Sequence, residues 1–186
     1  MTTRGNREQI ALGPGYLYTA LLATTEPVDL VTPWAEVSDN WIALGYTGAG
    51  SEFGYQLKTS PVMVEEELDT ITNAPDGRTS SVTFDLAQLT ATNLAVASNG
   101  GAITTGAGVV YFEPPDLGEE QRCMLGFQSE DGTERWIWRQ AIMNGAMKIT
   151  RKKGAANATI ACTFELELPD TGQKLYRAIL ASPLRA

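Results

Sequence analysis

The sequence contains no histidine. That absence removes the commonest general base, the Ser-His-Asp and Cys-His nucleophile arrangements, and most zinc sites. Basic residues are scarce too: 14 Lys and Arg stand against 22 Asp and Glu, for a formal charge of −8. Such a chain lacks the basic footprint of a general nucleic-acid or anionic-membrane binder, and acidic substrates are disfavoured for the same reason. Cysteine is limited to Cys123 and Cys162. Each falls on the apolar face of a predicted strand, so two buried free thiols in a reducing cytosol are expected rather than a bridge. No apolar run approaches the ~20 residues of a spanning helix. The stretch from Ile10 to Ala23 is interrupted by Gly13, Pro14 and Gly15 and flanked by Glu8, which argues against a signal peptide.

Other motifs fail on spacing. Gly48, Gly50 and Gly54 do not match a dinucleotide fingerprint, and no Walker motif is present. Asp170-Thr171-Gly172 matches the aspartic-protease tripeptide, but too little chain follows for the rest of such a fold, so a hairpin turn is expected. Glu65, Glu66 and Glu67 suggest glycosidase carboxylates, yet alternation along a strand sends Glu66 to the opposite face. No catalytic residue, cofactor or metal ligand is expected, and an enzyme is not.

What is present is a globular composition, 43% hydrophobic and 19% charged, with 18 Gly and 9 Pro for turns. It fits a single domain over residues 1–186, with a polar N-terminal arm over about 1–10 and a C-terminal arm over about 181–186. The pattern predicts nine or ten mostly antiparallel strands and one helix. The strands are Tyr16 to Ala23, Trp41 to Tyr46, Pro61 to Asp69, Thr79 to Leu86, Val109 to Phe112, Arg122 to Gln128, Glu134 to Ala141, Ala146 to Arg151, Asn157 to Leu168 and Leu175 to Leu180. Turns are expected at Asn73 to Gly77, around Asp131-Gly132, around Lys152-Lys153-Gly154, and at Asp170 to Gly172 in a last hairpin. Thr47 to Gly54 reads as a Gly-rich excursion. The helix is Thr90 to Ser98, with Thr90 as N-cap, Asn93 where a capping box would want Glu or Gln, and Gly100-Gly101 as its stop.

Three predicted strands share one pattern. Val62, Val64, Glu66 and Leu68 alternate with Met63, Glu65, Glu67 and Asp69. Val82, Phe84 and Leu86 alternate with Thr79, Ser81, Thr83 and Asp85. Ile160, Cys162, Phe164, Leu166 and Leu168 alternate with Thr159, Ala161, Thr163, Glu165 and Glu167. If the polar faces line one surface, it carries Glu65, Glu67, Asp69, Asp85, Glu165 and Glu167 among hydroxyls, with no Lys or Arg. A solvated face usually mixes both signs. A surface of hydroxyls and carboxylates alone repels phosphate, because retention of nucleic acid needs Lys or Arg. The bland alternative is the solvated face of an acidic protein. Trp136 and Trp138 share a strand face, which suits core packing or, in a stand-alone binding module, a sugar platform.

The order of LGYTGAGSEFGYQLKTSPVMVEEELDTI, DGRTSSVTFDLAQLTATNLAVA and the late hairpins resembles the major tail proteins, or tail tube proteins, of long-tailed bacteriophages, over about residues 10–182. The resemblance implies a mainly β (α+β) fold, an antiparallel β-sandwich with one flanking α-helix whose inner strands close a barrel in a hexameric ring. Stacked rings would form a tube with an acidic lumen for genomic DNA, found in the virion and assembled in the host cytoplasm. Implied partners are further copies of the chain, a tape measure protein, and tail terminator and tip proteins; DNA would pass without specific binding, and no membrane is involved. Glu65, Glu67, Asp69, Asp85, Glu165 and Glu167 map to the lumen. Gly48, Gly50, Phe53 and Tyr55, in a long loop over about 47–60, and Arg4 and Arg7 in the N-terminal arm map to inter-ring contacts. The tube protein of a contractile injection or secretion system is a related alternative.

Overall fold

The computed structural model describes residues 14–63, 69–151, 158–170 and 172–181. Alternating apolar and polar side chains make a half-buried strand, and the segments that alternate most cleanly become the centre of a sheet. The strands are β1 (Gly15–Leu21), β2 (Ile42–Ala43), β3 (Thr47–Val62), β4 (Thr72–Leu86), β5 (Ala102–Gly106), β6 (Val109–Glu113), β7 (Cys123–Ser129), β8 (Glu134–Met143), β9 (Lys148–Thr150), β10 (Thr159–Leu166) and β11 (Tyr176–Leu180). Two helices complete the set, α1 (Trp34–Val37) and α2 (Ala91–Ala97).

Nine strands form one antiparallel sheet in the order β2-β1-β7-β8-β10-β4-β3, with β11 joined to β8 and β9 to β10. Strand β8 is its spine. One edge takes β7, while the other takes β11 along Glu134–Trp138 and β10 along Ala141–Met143. The sheet keeps open edges at β2 and β3, and the described strands close no barrel. Its inner face buries Val82, Phe84 and Leu86 of β4 against Ile160, Cys162, Phe164 and Leu166 of β10, with Leu17, Leu125 and Trp138 from the other half. The reverse face of β1, β7 and β8 is covered by the segment that carries α1, where Trp34 and Trp41 pack on Ala20, Met124 and Ile137. Gly126 has to be glycine there, because a Cβ would lie 2.5 Å from the Trp34 ring.

Buried Arg135 holds that covering segment in place. Its guanidinium donates to Gln128 Oε1 at 3.1 Å and to the Asp29 carbonyl at 3.0 Å, and lies over the Trp34 ring. Helix α2 starts as expected: Thr90 Oγ1 accepts from the Asn93 N–H at 3.1 Å. Asn93 itself is buried, and its Nδ2 donates to the carbonyls of Leu44 and Gln88. The left-handed residue that ends the helix is Asn99, at φ 57°, one position before the expected glycine pair. Its side chain bonds both backbone groups of Met143.

Several expectations are corrected. Thr47 to Gly54 is no excursion, and the stretch to Ser60 no loop; both lie in β3, paired with β4 from Thr47 to Val62. The turn expected at Asn73 to Gly77 is strand as well, because a register shift between Lys58 and Thr59 absorbs one extra residue opposite, Asp76. Strand β3 therefore ends at Val62, and Asp69 sits in a bend instead of a strand. Leu168 is 58% exposed, since β10 stops at Leu166. Strand β11 makes no hairpin with β10. Both lie end to end on the same edge of β8, where the Glu167 N–H bonds the Gln140 carbonyl and the Arg139 N–H bonds the Leu175 carbonyl. Strand β5 and helix α1 carry too little apolar periodicity to have been expected.

Candidate conduit face

Antiparallel pairing turns the alternation of single strands into a shared surface. Glu165 faces Ser81, Thr163 faces Thr83, and Ala161 faces Asp85 across β10 and β4. Strand β3 extends two of these rows, Gly54 beside Ser81 and Glu52 beside Thr83. On the far side, Lys148 of β9 stands opposite Ala161. The result is a polar sheet face of hydroxyls, small residues and the carboxylates Glu52, Asp85 and Glu165, backed by the apolar core on its other side. A shallow groove of about 380 Å³ runs over it, lined by Gly54, Gln56, Thr79, Ser81, Thr163 and Glu165 among others.

The face is not wholly free of cations. Lys148 enters through β9, and Lys58 lies further out, 3.7 Å from Asp76. The two carboxylates at the end of β10 differ. Glu165 accepts a hydrogen bond from Asn144 Nδ2 and has no ion pair among the described residues. Glu167 is held by Arg122, at 2.6 Å from Nε and 3.2 Å from the terminal nitrogen, and by Gln140 Nε2 at 3.0 Å. The Arg122 and Gln140 hydrogen bonds keep its carboxyl below the usual range. Its charge is thus balanced locally.

Asp69 is exposed at the far end of the β3–β4 hairpin, whereas Glu65, Glu67, Arg4 and Arg7 lie outside the described residues. Of the residues expected to serve assembly, Gly50 is in the left-handed region at φ 86°, beside the register shift between Thr47 and Ser51. Gly48 faces Thr159 and Asp85, where a Cβ would lie 3.0 Å from the Thr159 methyl. Phe53 belongs to the aromatic core, with ring centroids 5.6 Å from Trp136, 5.7 Å from Trp138 and 5.1 Å from Tyr176. Tyr55 is 49% exposed at the root of a projecting arm. Beyond it, from Gln56 on β3 and back through Thr79 on β4, every described residue is exposed.

Glu52 is the functional candidate that the sequence reading passed over. The alternation of Glu52, Gln56 and Lys58 with Phe53, Tyr55 and Leu57 marks the strand, but three nearby glycines disguised it as a loop. Trp136 and Trp138 form no sugar platform. Trp138 is buried, and the Trp136 indole N–H donates to Glu134 at 3.0 Å. Both cysteines are free thiols, pushed up by burial to about 11 for Cys123 and about 12 for Cys162. Among the described residues no helix is long and apolar enough to cross a membrane, and no cluster of His, Cys, Asp and Glu is arranged to hold a metal.

Comparison with curated proteins finds no match. Among solved structures, the chain is similar to one in the six-fold symmetrised cryo-EM structure of the anti-feeding prophage baseplate. The two are 10% identical over 93% of this chain and 97% of that one, with a TM-score of 0.43. A family model described as phage tail tube protein matches residues 2–168. The chain therefore belongs to the phage tail tube protein family, and is a structural component of the tail and not an enzyme.

Proposed function

We propose that the chain forms hexameric rings that stack into the tail tube, with the polar face of β3, β4, β9 and β10 turned to the lumen through which genomic DNA passes. The observation that carries this reading is the continuous row pattern of Glu52, Ser81, Thr83, Asp85, Thr163 and Glu165 on one side of a sheet whose other side is core. DNA carries one negative charge per roughly 1.7 Å of axis, so a conduit has to keep it hydrated and unbound. Carboxylates and hydroxyls do this by repulsion and hydration. Asp69 adds to the same potential from the end of the arm, Glu65 and Glu67 are assigned to the lumen on their sequence pattern alone, and Glu167, paired to Arg122, contributes little.

The edges support ring closure. Strands β3 and β9 flank the conduit sheet, and pairing them between neighbouring copies removes the liability of an unpaired edge. Stacking follows from polarity along the strands. Asp69 lies at the arm end and Arg151 at the opposite end of the sheet, so successive rings bring opposite charges together. The arm, with Tyr55 at its root, spans the gap; its seven residues from Gln56 to Val62 reach about 23 Å. A tape measure protein and the terminator and tip proteins complete the tail.

Negative-stain electron microscopy across a concentration series tests the assembly. Rings or tubes with a central channel are expected, and featureless particles throughout would refute it. The lumen assignment is tested separately in the phage with Glu52→Lys, Asp85→Lys and Glu165→Lys. Tubes are expected to form while DNA delivery drops, and undiminished delivery would sink the repulsion argument.

A further inference from the structure

The β5–β6 hairpin stands apart from the large sheet. Among the described residues its strands pair only with each other, around a tight turn in which Ala107 and Gly108 both have positive φ, and it touches the body chiefly through α2. From Ala102 to Phe112 it contains no charged residue, although Glu113, Asp116, Glu119 and Glu120 follow at once. Each of its faces exposes apolar side chains beside a threonine, Thr105 on one and Thr104 on the other. Ile103, at 47% exposure, and Val110, at 54%, lie on one; Val109, at 49%, and Tyr111, at 56%, lie on the other.

An exposed hairpin of this kind breaks two ordinary rules. Edge strands in water are normally protected by charge, proline or a covering element; here both edges are uncovered among the described residues, and their one charge is Glu113 at the very end of β6. A lone two-stranded hairpin is also marginally stable in water. The other exposed hairpin of this chain, β3–β4, obeys the first rule, with Glu52, Lys58, Asp76 and Arg78 along its strands.

We propose that the β5–β6 hairpin is a docking element that seats on a second copy of this chain. The choice of occupant rests on the tail tube reading, in which copies associate with one another, and on charge. Two chains of formal charge −8 repel, and an uncharged element lets them touch without bringing carboxylates together. Seating the hairpin also covers apolar surface and its unpaired backbone groups, which gives the contact its driving force.

The test is analytical ultracentrifugation of the full chain over a concentration series, wild type against Val110→Glu and Tyr111→Lys. The wild type is expected to self-associate, and each variant to weaken that association roughly tenfold or more with its melting temperature unchanged. Hydrogen exchange of the wild type guards against misfolding of the variants: amides of residues 102–113 gain protection as concentration rises. Association that survives both substitutions overturns the proposal, as does a wild type that stays monomeric or hairpin amides that exchange equally at every concentration. The conduit reading fails differently. Association without a central channel refutes the tube but leaves the hairpin contact standing, whereas tubes formed by the variants refute the hairpin contact and leave the tube.

Discussion

Two hairpins frame helix α2, and they are built on opposite plans. The β3–β4 hairpin that precedes it is rooted in the core: Val82, Phe84 and Leu86 are buried at its base, and Phe53 packs on Trp136 and Trp138. Only its far half leaves the body, and charges accompany it there. The β5–β6 hairpin that follows has no such root and, from Ala102 to Phe112, no charge, and its turn does the local work of holding it together. The difference teaches where a strand takes its stability from. Burial at one end carries the long hairpin outward through cooperative pairing, whereas the short one depends on its turn, on α2, and on whatever covers it.

The largest test of this contrast is Phe164→Ala. Phe164 is fully buried on β10 and stacks on Phe84 at 5.5 Å, directly beneath the root of the arm. Its truncation is expected to cost roughly 3–5 kcal/mol, read as a fall in thermal midpoint. A fall too small to detect would mean that the arm is not anchored by this core.

Asn93→Ala addresses the other hairpin. It leaves the buried carbonyl of Leu44 and the part-buried carbonyl of Gln88 without their Asn93 donor, for an expected loss of about 1–3 kcal/mol. Hydrogen exchange should quicken first over residues 91–113, through α2 into β5–β6, while the base of β4 stays protected. Equal quickening in both regions would show that the two hairpins open as one unit and would dissolve the contrast.

The smallest effect concerns the end of β10, remote from both hairpins. The Arg122 hydrogen bonds hold the Glu167 carboxyl below its usual range. A carboxyl depressed in the folded state contributes stability above its unfolded pKa, and that contribution is lost as pH falls through the depressed value. Glu167→Gln should therefore lower stability slightly at neutral pH and flatten the acid limb of the stability curve, more visibly at low salt because the pair is partly exposed. An acid limb identical to that of the wild type would show that the pair contributes nothing. Exchange protection of the two hairpins should not change in this variant.

Much of the fold was legible because burial imposes period two. The apolar sets of β4 and β10, the N-cap at Thr90 and the turn at Asp131-Gly132 all declare themselves locally. The failures share a cause. Gly48, Gly50, Pro75 and Gly77 are ordinary turn residues, yet they lie in or beside a strand because the long partner and its register shifts accommodate them. Tertiary pairing overrode local turn chemistry, which moved the end of the hairpin toward the acidic segment and hid Glu52. The candidate face was half legible: Asp85 and Glu165 followed from alternation alone, while the neighbours that add Glu52 and Lys148 did not.

By itself, the sequence determined the chemistry: no histidine, excess carboxylates, strands apolar on one side and small or acidic on the other. Those properties belong to single residues and to the pleat, which needs no partner to send alternate side chains to opposite faces. Only the tertiary structure decided which strands lie side by side, that Glu167 meets Arg122, and that β11 continues the line of β10 along β8. Pairing between strands far apart in the chain is chosen by the packing of the whole core, and no local pattern carries that choice.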